Sequence, residues 1–262
     1  MAAEDPESAA RLMECCAVEL LTRGHVATVA EWGERFPQQV LRRYPSMQFA
    51  YCTALVLQGE YDRAARFLDN LGQEARQPVG LPYSREHLFA VQSLILLAQD
   101  RIGECERVAM EGVEECAHAT MPEGHPMLFL IAGLFRIAGW VHLTHGRYDE
   151  ALKHLDGALK LDRQVSSLMG NVYDRYLKGR IEFTRGRMLA ALAHSRSVLE
   201  ETRTGPGPGP SRYLAGETCA AVLQAEILYE MDDLEGAEAL LSAYRGLLPI
   251  CLPVDERIVG FR

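Results

Sequence analysis

Lysine is almost missing from this 262-residue chain: of 27 basic residues only Lys153, Lys160 and Lys178 are lysines, and each follows a leucine. The Gly-Lys-Ser/Thr ending of a phosphate-binding P-loop therefore does not occur. Basic charge is scarce overall, with 36 acidic residues giving a net charge of −9. Residues 211 to 262 hold four arginines against nine acids. The basic footprint of a nucleic-acid binder is absent, which predicts no direct nucleic-acid binding by this segment. Long apolar runs are also lacking, since the best, Met127 to Ala132, is broken by Gly133 and Arg136. A membrane span needs roughly 18 such residues. The N-terminus, Met-Ala-Ala-Glu-Asp-Pro-Glu, is acidic where a signal peptide is basic and then apolar. Together these predict a soluble chain, no membrane partner and a cytoplasmic address. Seven cysteines, an odd number in a chain too long for a disulfide miniprotein, predict reduced thiols used as small buried residues. Neither Gly-x-Ser-x-Gly nor His-Glu-x-x-His occurs, and the carboxylates read as scattered over helix surfaces. No enzyme, no catalytic residue and no cofactor is predicted.

What the chain does have is internal similarity, and it lies in the turns. Segments of helical period are punctuated by Gly or Asp, then a polar residue, then an apolar one: Gly24-His25-Val26, Gly59-Glu60-Tyr61, Asp100-Arg101-Ile102, Gly146-Arg147-Tyr148, Gly186-Arg187-Met188 and Asp232-Asp233-Leu234. Three residues beyond each apolar turn residue stands Val29, Ala64, Cys105, Ala151, Ala191 or Ala237. A small side chain there lets two antiparallel helices approach just after their turn. The clearest copy runs from Ile131 to Asp162, where Gly139 sits inside the first helix. That glycine costs about 1 kcal/mol relative to alanine, so a close helix crossing is predicted. Gly179, Ala17, Cys52, Ser93 and Ala225 keep the equivalent site small. With no sustained period-two alternation, the predicted fold is all α: a right-handed superhelical solenoid of about six helix-turn-helix repeats. Pro-rich stretches at 77–82, 121–126 and 204–210 are read as loops between copies. The domain expected is therefore one α-solenoid over residues 1–262, with a flexible Gly/Pro loop at 204–210.

Small, small, aromatic and small residues in this order resemble the tetratricopeptide repeat. A narrower resemblance covers residues 24 to 68. Its points of match are Trp32 and Phe36-Pro37 ending a short helix, the Tyr44-Pro45 stop, and the turn and helix from Gly59 to Leu68. These look like the helical-repeat sensor region of MalT-like regulators, the large ATP-binding transcription activators of the LuxR type. The resemblance implies inducer sensing and contacts that control self-association. That family's nucleotide-binding module and LuxR-type helix-turn-helix have no signature in this sequence, so a middle segment or a stand-alone relative is implied. The function expected is a non-catalytic sensor or regulatory module taking a small-molecule effector or a protein partner in its concave groove. Its other partners would be the remaining domains of a parent regulator. The alternative is a stand-alone scaffold for a partner's peptide segment.

Candidate chemistry concentrates on the first helices of the later copies. Arg136 and Trp140, then Tyr173, Tyr176 and Arg180, then Glu226 and Tyr229 fall at i, i+3, i+4 and i+7 spacings on the face opposite the packing glycine. Flat rings and bidentate donors suit a ligand with rings and carboxylates, and Arg180 is expected in the groove rather than the core. The same face of the second and third copies carries Phe49, Thr53, Val56, Ala90, Leu94 and Leu97, which read as packing. For a metal, the candidates are Cys116, His118 and His125 beside Glu114 and Glu115, and the pair His142 and His145. No second pair stands at zinc-site spacing, so no metal is predicted. Vicinal Cys15 and Cys16 fall on opposite faces of the first helix.

Overall fold

The computed structural model describes residues 6–41, 43–75, 85–116, 122–204 and 214–245. Among these every regular element is a helix: α1 (Pro6–Thr22), α2 (Val26–Arg35), the short α3 (Gln38–Leu41), α4 (Pro45–Leu57), α5 (Tyr61–Ala75), α6 (Arg85–Ala98), α7 (Ile102–Cys116), α8 (Leu128–Thr144), α9 (Tyr148–Gln164), α10 (Leu168–Thr184), α11 (Met188–Thr204), α12 (Leu214–Glu230) and α13 (Leu234–Tyr244). The expected loops at 77–82 and 205–210 lie outside the described residues.

The six punctuations are the six turns inside the helix pairs α1/α2, α4/α5, α6/α7, α8/α9, α10/α11 and α12/α13. Each places its Gly or Asp at positive φ: Gly24 82°, Gly59 84°, Asp100 61°, Gly146 70°, Gly186 75° and Asp232 65°. The hydrogen bonding is the same in every copy. In the α8/α9 turn, Gly146 N–H donates to the Leu143 carbonyl at 3.0 Å and Arg147 N–H reaches back to the His142 carbonyl at 2.9 Å. Paired bonds of this kind are a Schellman stop, which satisfies the last carbonyls of the first helix and needs a left-handed residue at its centre. Glycine adopts that conformation without strain; aspartate tolerates it at a cost.

Packing after each turn is close. Val29, Ala64, Cys105, Ala151 and Ala191 have no exposed surface and Ala237 has 6%. A Cβ on Gly139 would stand 3.0 Å from Leu155 Cγ and 3.2 Å from the Ala151 carbonyl, and one on Gly179 would stand 3.1 Å from His194 Cβ. The two internal glycines are thus where these helices cross closely. Cys52 and Cys105, small and fully buried, donate their thiols to the carbonyls of Ala64 and Ser93 at 3.4 Å.

Consecutive first helices α1, α4, α6, α8, α10 and α12 pack side by side along the inner face of a right-handed solenoid, while each second helix packs on the first helix of the next pair. The central helix, α8, is apolar around nearly its whole circumference, as a helix walled on several sides must be. The superhelix curls far enough for α1 to touch α10. A face that would otherwise be an open trough is drawn together around its centre. No helix among the described residues is long and apolar enough to cross a membrane.

Candidate functional site

At that centre lies a cavity of about 110 Å³. It is lined by Thr53 of α4, Ala90, Leu94 and Leu97 of α6, Gly133, Arg136, Ile137 and Trp140 of α8, and Met169, Tyr173 and Leu177 of α10, among others. Its wall is almost wholly apolar, because the helices around it turn aliphatic stripes inward. Gly133 leaves room on the α8 side: a Cβ there would meet nothing nearer than Arg136 Nη1 at 4.0 Å.

Two polar groups in this wall have no hydrogen-bond partner, Trp140 Nε1 and Thr53 Oγ1. Trp140 is 6% exposed and Thr53 3%. A buried indole N–H or hydroxyl left unpaired costs about 1 to 3 kcal/mol.

Arg136 is held differently. Its Nη2 pairs with Asp162 of α9, and its Nε donates to Asp174 Oδ1 of α10 at 2.8 Å. Neither carboxylate has exposed surface, which corrects the reading that the acids are confined to helix surfaces. Desolvation by burial pushes the Asp162 carboxyl up to about 6 and raises that of Asp174, against the lowering by Arg136. One cation cannot fully offset two buried carboxylates, so the Asp162 carboxyl gives up its proton only as pH rises through about 6. Gly170, in the first turn of α10, makes room for it: a Cβ there would come within 2.0 Å of Asp162 Oδ2. Arg136 thus ties α8, α9 and α10 together, and its charge is already answered.

Arg180 is likewise buried, at 2% exposure, where a groove position was expected. Its guanidinium pairs with Glu226 of α12, and the fully buried Tyr176 adds to the field that raises its pKa against desolvation. Tyr229 is 65% exposed, one turn beyond Glu226 near the α12/α13 turn. Of the seven residues singled out in the sequence, the structure brings Arg136, Trp140 and Tyr173 to the cavity. It places Tyr176, Arg180 and Glu226 in a buried ion-pair cluster between α10 and α12, and leaves Tyr229 outside. The cavity also recruits Thr53, Ala90, Leu94 and Leu97, from the face read as packing.

The other candidates separate. His118 lies outside the described residues. His142 stacks on His154 of α9 with ring centroids 5.0 Å apart and planes 9° apart, and desolvation lowers both pKa values. His145 faces Glu106 at 3.6 Å. Among the described residues no group of three or more His, Cys, Asp or Glu side chains could hold a metal. Cys15 is exposed, and Cys16 donates its thiol to the Leu12 carbonyl at 3.1 Å, its pKa raised chiefly by desolvation.

Neither a protein-family model nor a curated protein sequence matches the chain. Solved structures do. BtubC (BKLC) from P. vanneervenii aligns over 100% of this chain and 94% of its own with a TM-score of 0.55 and 10% identity. A single-substitution form of a Podosopora anserina putative kinesin light chain with nearly identical TPR-like repeats aligns over 76% of this chain and 92% of its own, with a TM-score of 0.51 and 14% identity. At such identities the likeness is one of fold, and the fold is a tetratricopeptide-like helical-repeat solenoid.

Proposed function

We propose that the chain is a non-catalytic sensor or regulatory repeat module that takes a small effector, or a side chain of a protein partner, into the cavity on its inner face. Solenoids of this kind generally present extended binding surfaces, and the concave one is where first helices converge. One observation carries the reading: four successive inner helices leave an apolar space at their centre. The resemblance of residues 24 to 68 to MalT-like regulators supports a parent transcription activator, in which occupancy would alter contacts made by the superhelix. Such coupling requires the occupant to prefer one of two states of the parent.

Gly133→Leu tests the cavity. The new side chain enters open space and removes a helix-interior glycine, so the fold should persist while the cavity fills. A small molecule found by thermal-shift screening of the wild type should lose its stabilising effect on this variant. An unchanged shift would place the binding elsewhere. Reading the gene around this segment tests the parentage: a nucleotide-binding module before it and a helix-turn-helix after it fit the regulator.

The scaffold alternative has an observation of its own. Tyr229, Met231 and Leu234, at 65%, 46% and 53% exposure, cluster around the α12/α13 turn, where a partner's apolar residues could rest. A partner protein whose binding is lost on Tyr229→Ala but kept on Gly133→Leu would favour this reading.

A further inference from the structure

We infer that the cavity takes a small, uncharged, largely apolar molecule bearing a hydrogen-bond acceptor, and that Trp140 Nε1, assisted by Thr53 Oγ1, recognises the acceptor. This deepens the cavity reading above and rests on it. The two unpartnered groups carry the inference. Indole N–H is a donor with no acceptor capacity, so only an acceptor can satisfy it, whereas the Thr53 hydroxyl can give or take a hydrogen bond. Both sit in a wall formed mainly by Leu94, Leu97, Ile137, Met169 and Leu177, in which Tyr173 and the ion-paired Arg136 are the other polar members. The site therefore discriminates for a carbonyl, ether or hydroxyl oxygen on an otherwise apolar body, since an isostere without the oxygen leaves the pair as unsatisfied as before.

Charge is excluded by what surrounds Arg136. Its guanidinium would be the natural anion receptor, but it is bound on two sides by Asp162 and Asp174. An incoming carboxylate would add a third anion to a cluster with a single cation, while losing its own hydration. An incoming cation would have to pass an apolar wall to reach carboxylates already bonded to Arg136. Neutral ligands meet neither obstacle.

The probes are acetophenone, its near-isostere α-methylstyrene, in which C=CH₂ replaces C=O, and benzoate. Each is titrated into the ¹⁵N-labelled full chain while the indole N–H resonances are followed, that of Trp140 being identified by its loss in Trp140→Phe. Acetophenone should bind about tenfold more tightly than α-methylstyrene and move the Trp140 N–H resonance downfield, with benzoate weakest. In Trp140→Phe the tenfold preference should collapse towards unity. In the near-isosteric Thr53→Val, which guards against a folding defect in the first variant, it should shrink. Equal binding of acetophenone and α-methylstyrene, both abolished by Gly133→Leu, would overturn the acceptor inference while leaving the cavity reading intact. Tightest binding by benzoate would overturn neutrality. No binding of any of the three to the wild type would overturn the inference and the cavity reading together.

Discussion

The inner face is built in two ways along its length. From α4 to α8 its helices meet through Thr53, Ala90, Leu94, Leu97 and Ile137, and a space remains between them. From α8 to α12 the corresponding positions carry Arg136, Asp174, Tyr176, Arg180 and Glu226, and the helices are joined there by buried ion pairs. The difference reverses an intuition about binding sites. Arginines look like ligand-binding groups, yet here they are held in ion pairs, and the opening is left largely among aliphatic side chains, with Trp140 and Tyr173 in its wall.

Arg136→Met breaks the polar half most severely. It strands Asp162 and Asp174 without exposed surface and should cost about 3 to 5 kcal/mol, read as a loss of midpoint in urea unfolding at constant slope. Arg180→Met strands Glu226 alone, which retains some solvent contact, and should cost roughly 2 kcal/mol. If the two substitutions cost the same, the three-group cluster has no special hold on α8, α9 and α10, and the contrast between the halves is weaker than drawn.

Proton binding sharpens the same point. Burial holds the Asp162 carboxyl at about 6 against 3.8 for an ordinary aspartate, so between these values the native chain binds more protons than the unfolded one. The stability this group contributes is fully present below about pH 4 and is lost as pH rises through about 6. Asp162→Asn keeps a neutral side chain at every pH and leaves Arg136 with Asp174 as a one-to-one pair. It should raise stability at pH 7 by on the order of 2 kcal/mol relative to the wild type, with little gain at pH 4. A gain independent of pH would show that Asp162 stays ionised throughout.

Gly139→Leu probes the opposite side of α8. Overpacking against Leu155 and Ala151 should cost about 1 to 3 kcal/mol in thermal unfolding. Because α8 also walls the cavity, the displaced helix should weaken acetophenone binding as well. Unchanged stability would show that α8 and α9 yield at their crossing.

These outcomes depend on features of unequal visibility in the sequence. The repeats were legible because a Schellman stop demands a left-handed residue, and Gly24, Gly59, Asp100, Gly146, Gly186 and Asp232 mark it locally. The close crossings were legible through Gly139 and Gly179, since a glycine inside a helix needs compensation. The site was only partly legible. Asp162 follows Leu155 and Ala158 at i+7 and i+4, and Asp174 lies between Gly170 and Leu177, so both acids occupy the buried stripes of their helices. That spacing signals buried partners for arginine, but which arginine each meets depends on how helices 26 and 38 residues away in sequence pack. The cavity was legible only through Arg136, Trp140 and Tyr173; its aliphatic side, from Thr53 to Leu97, depends on how successive pairs stack, a sum of small rotations that no single residue encodes.

The turns supply a control for the comparison, because their geometry is local and the same in both halves. Asp100 closes α6 in the apolar half and Asp232 closes α12 in the polar half, at φ 61° and 65°. Glycine removes the Cβ clash that makes left-handed backbone unfavourable, although it adds freedom to the unfolded chain. Gly59, Gly146 and Gly186 hold the same turn with nothing within 4 Å of a Cβ, so the strain is conformational rather than steric crowding by neighbours. Asp100→Gly and Asp232→Gly should therefore each stabilise by about 0.5 to 1 kcal/mol, measured by thermal or urea unfolding. Equal gains would confine the contrast between the halves to the inner face. A smaller gain at 100 would measure what the Asp100 side chain contributes where it stands, and a loss at both positions would show that aspartate holds these turns by more than backbone geometry.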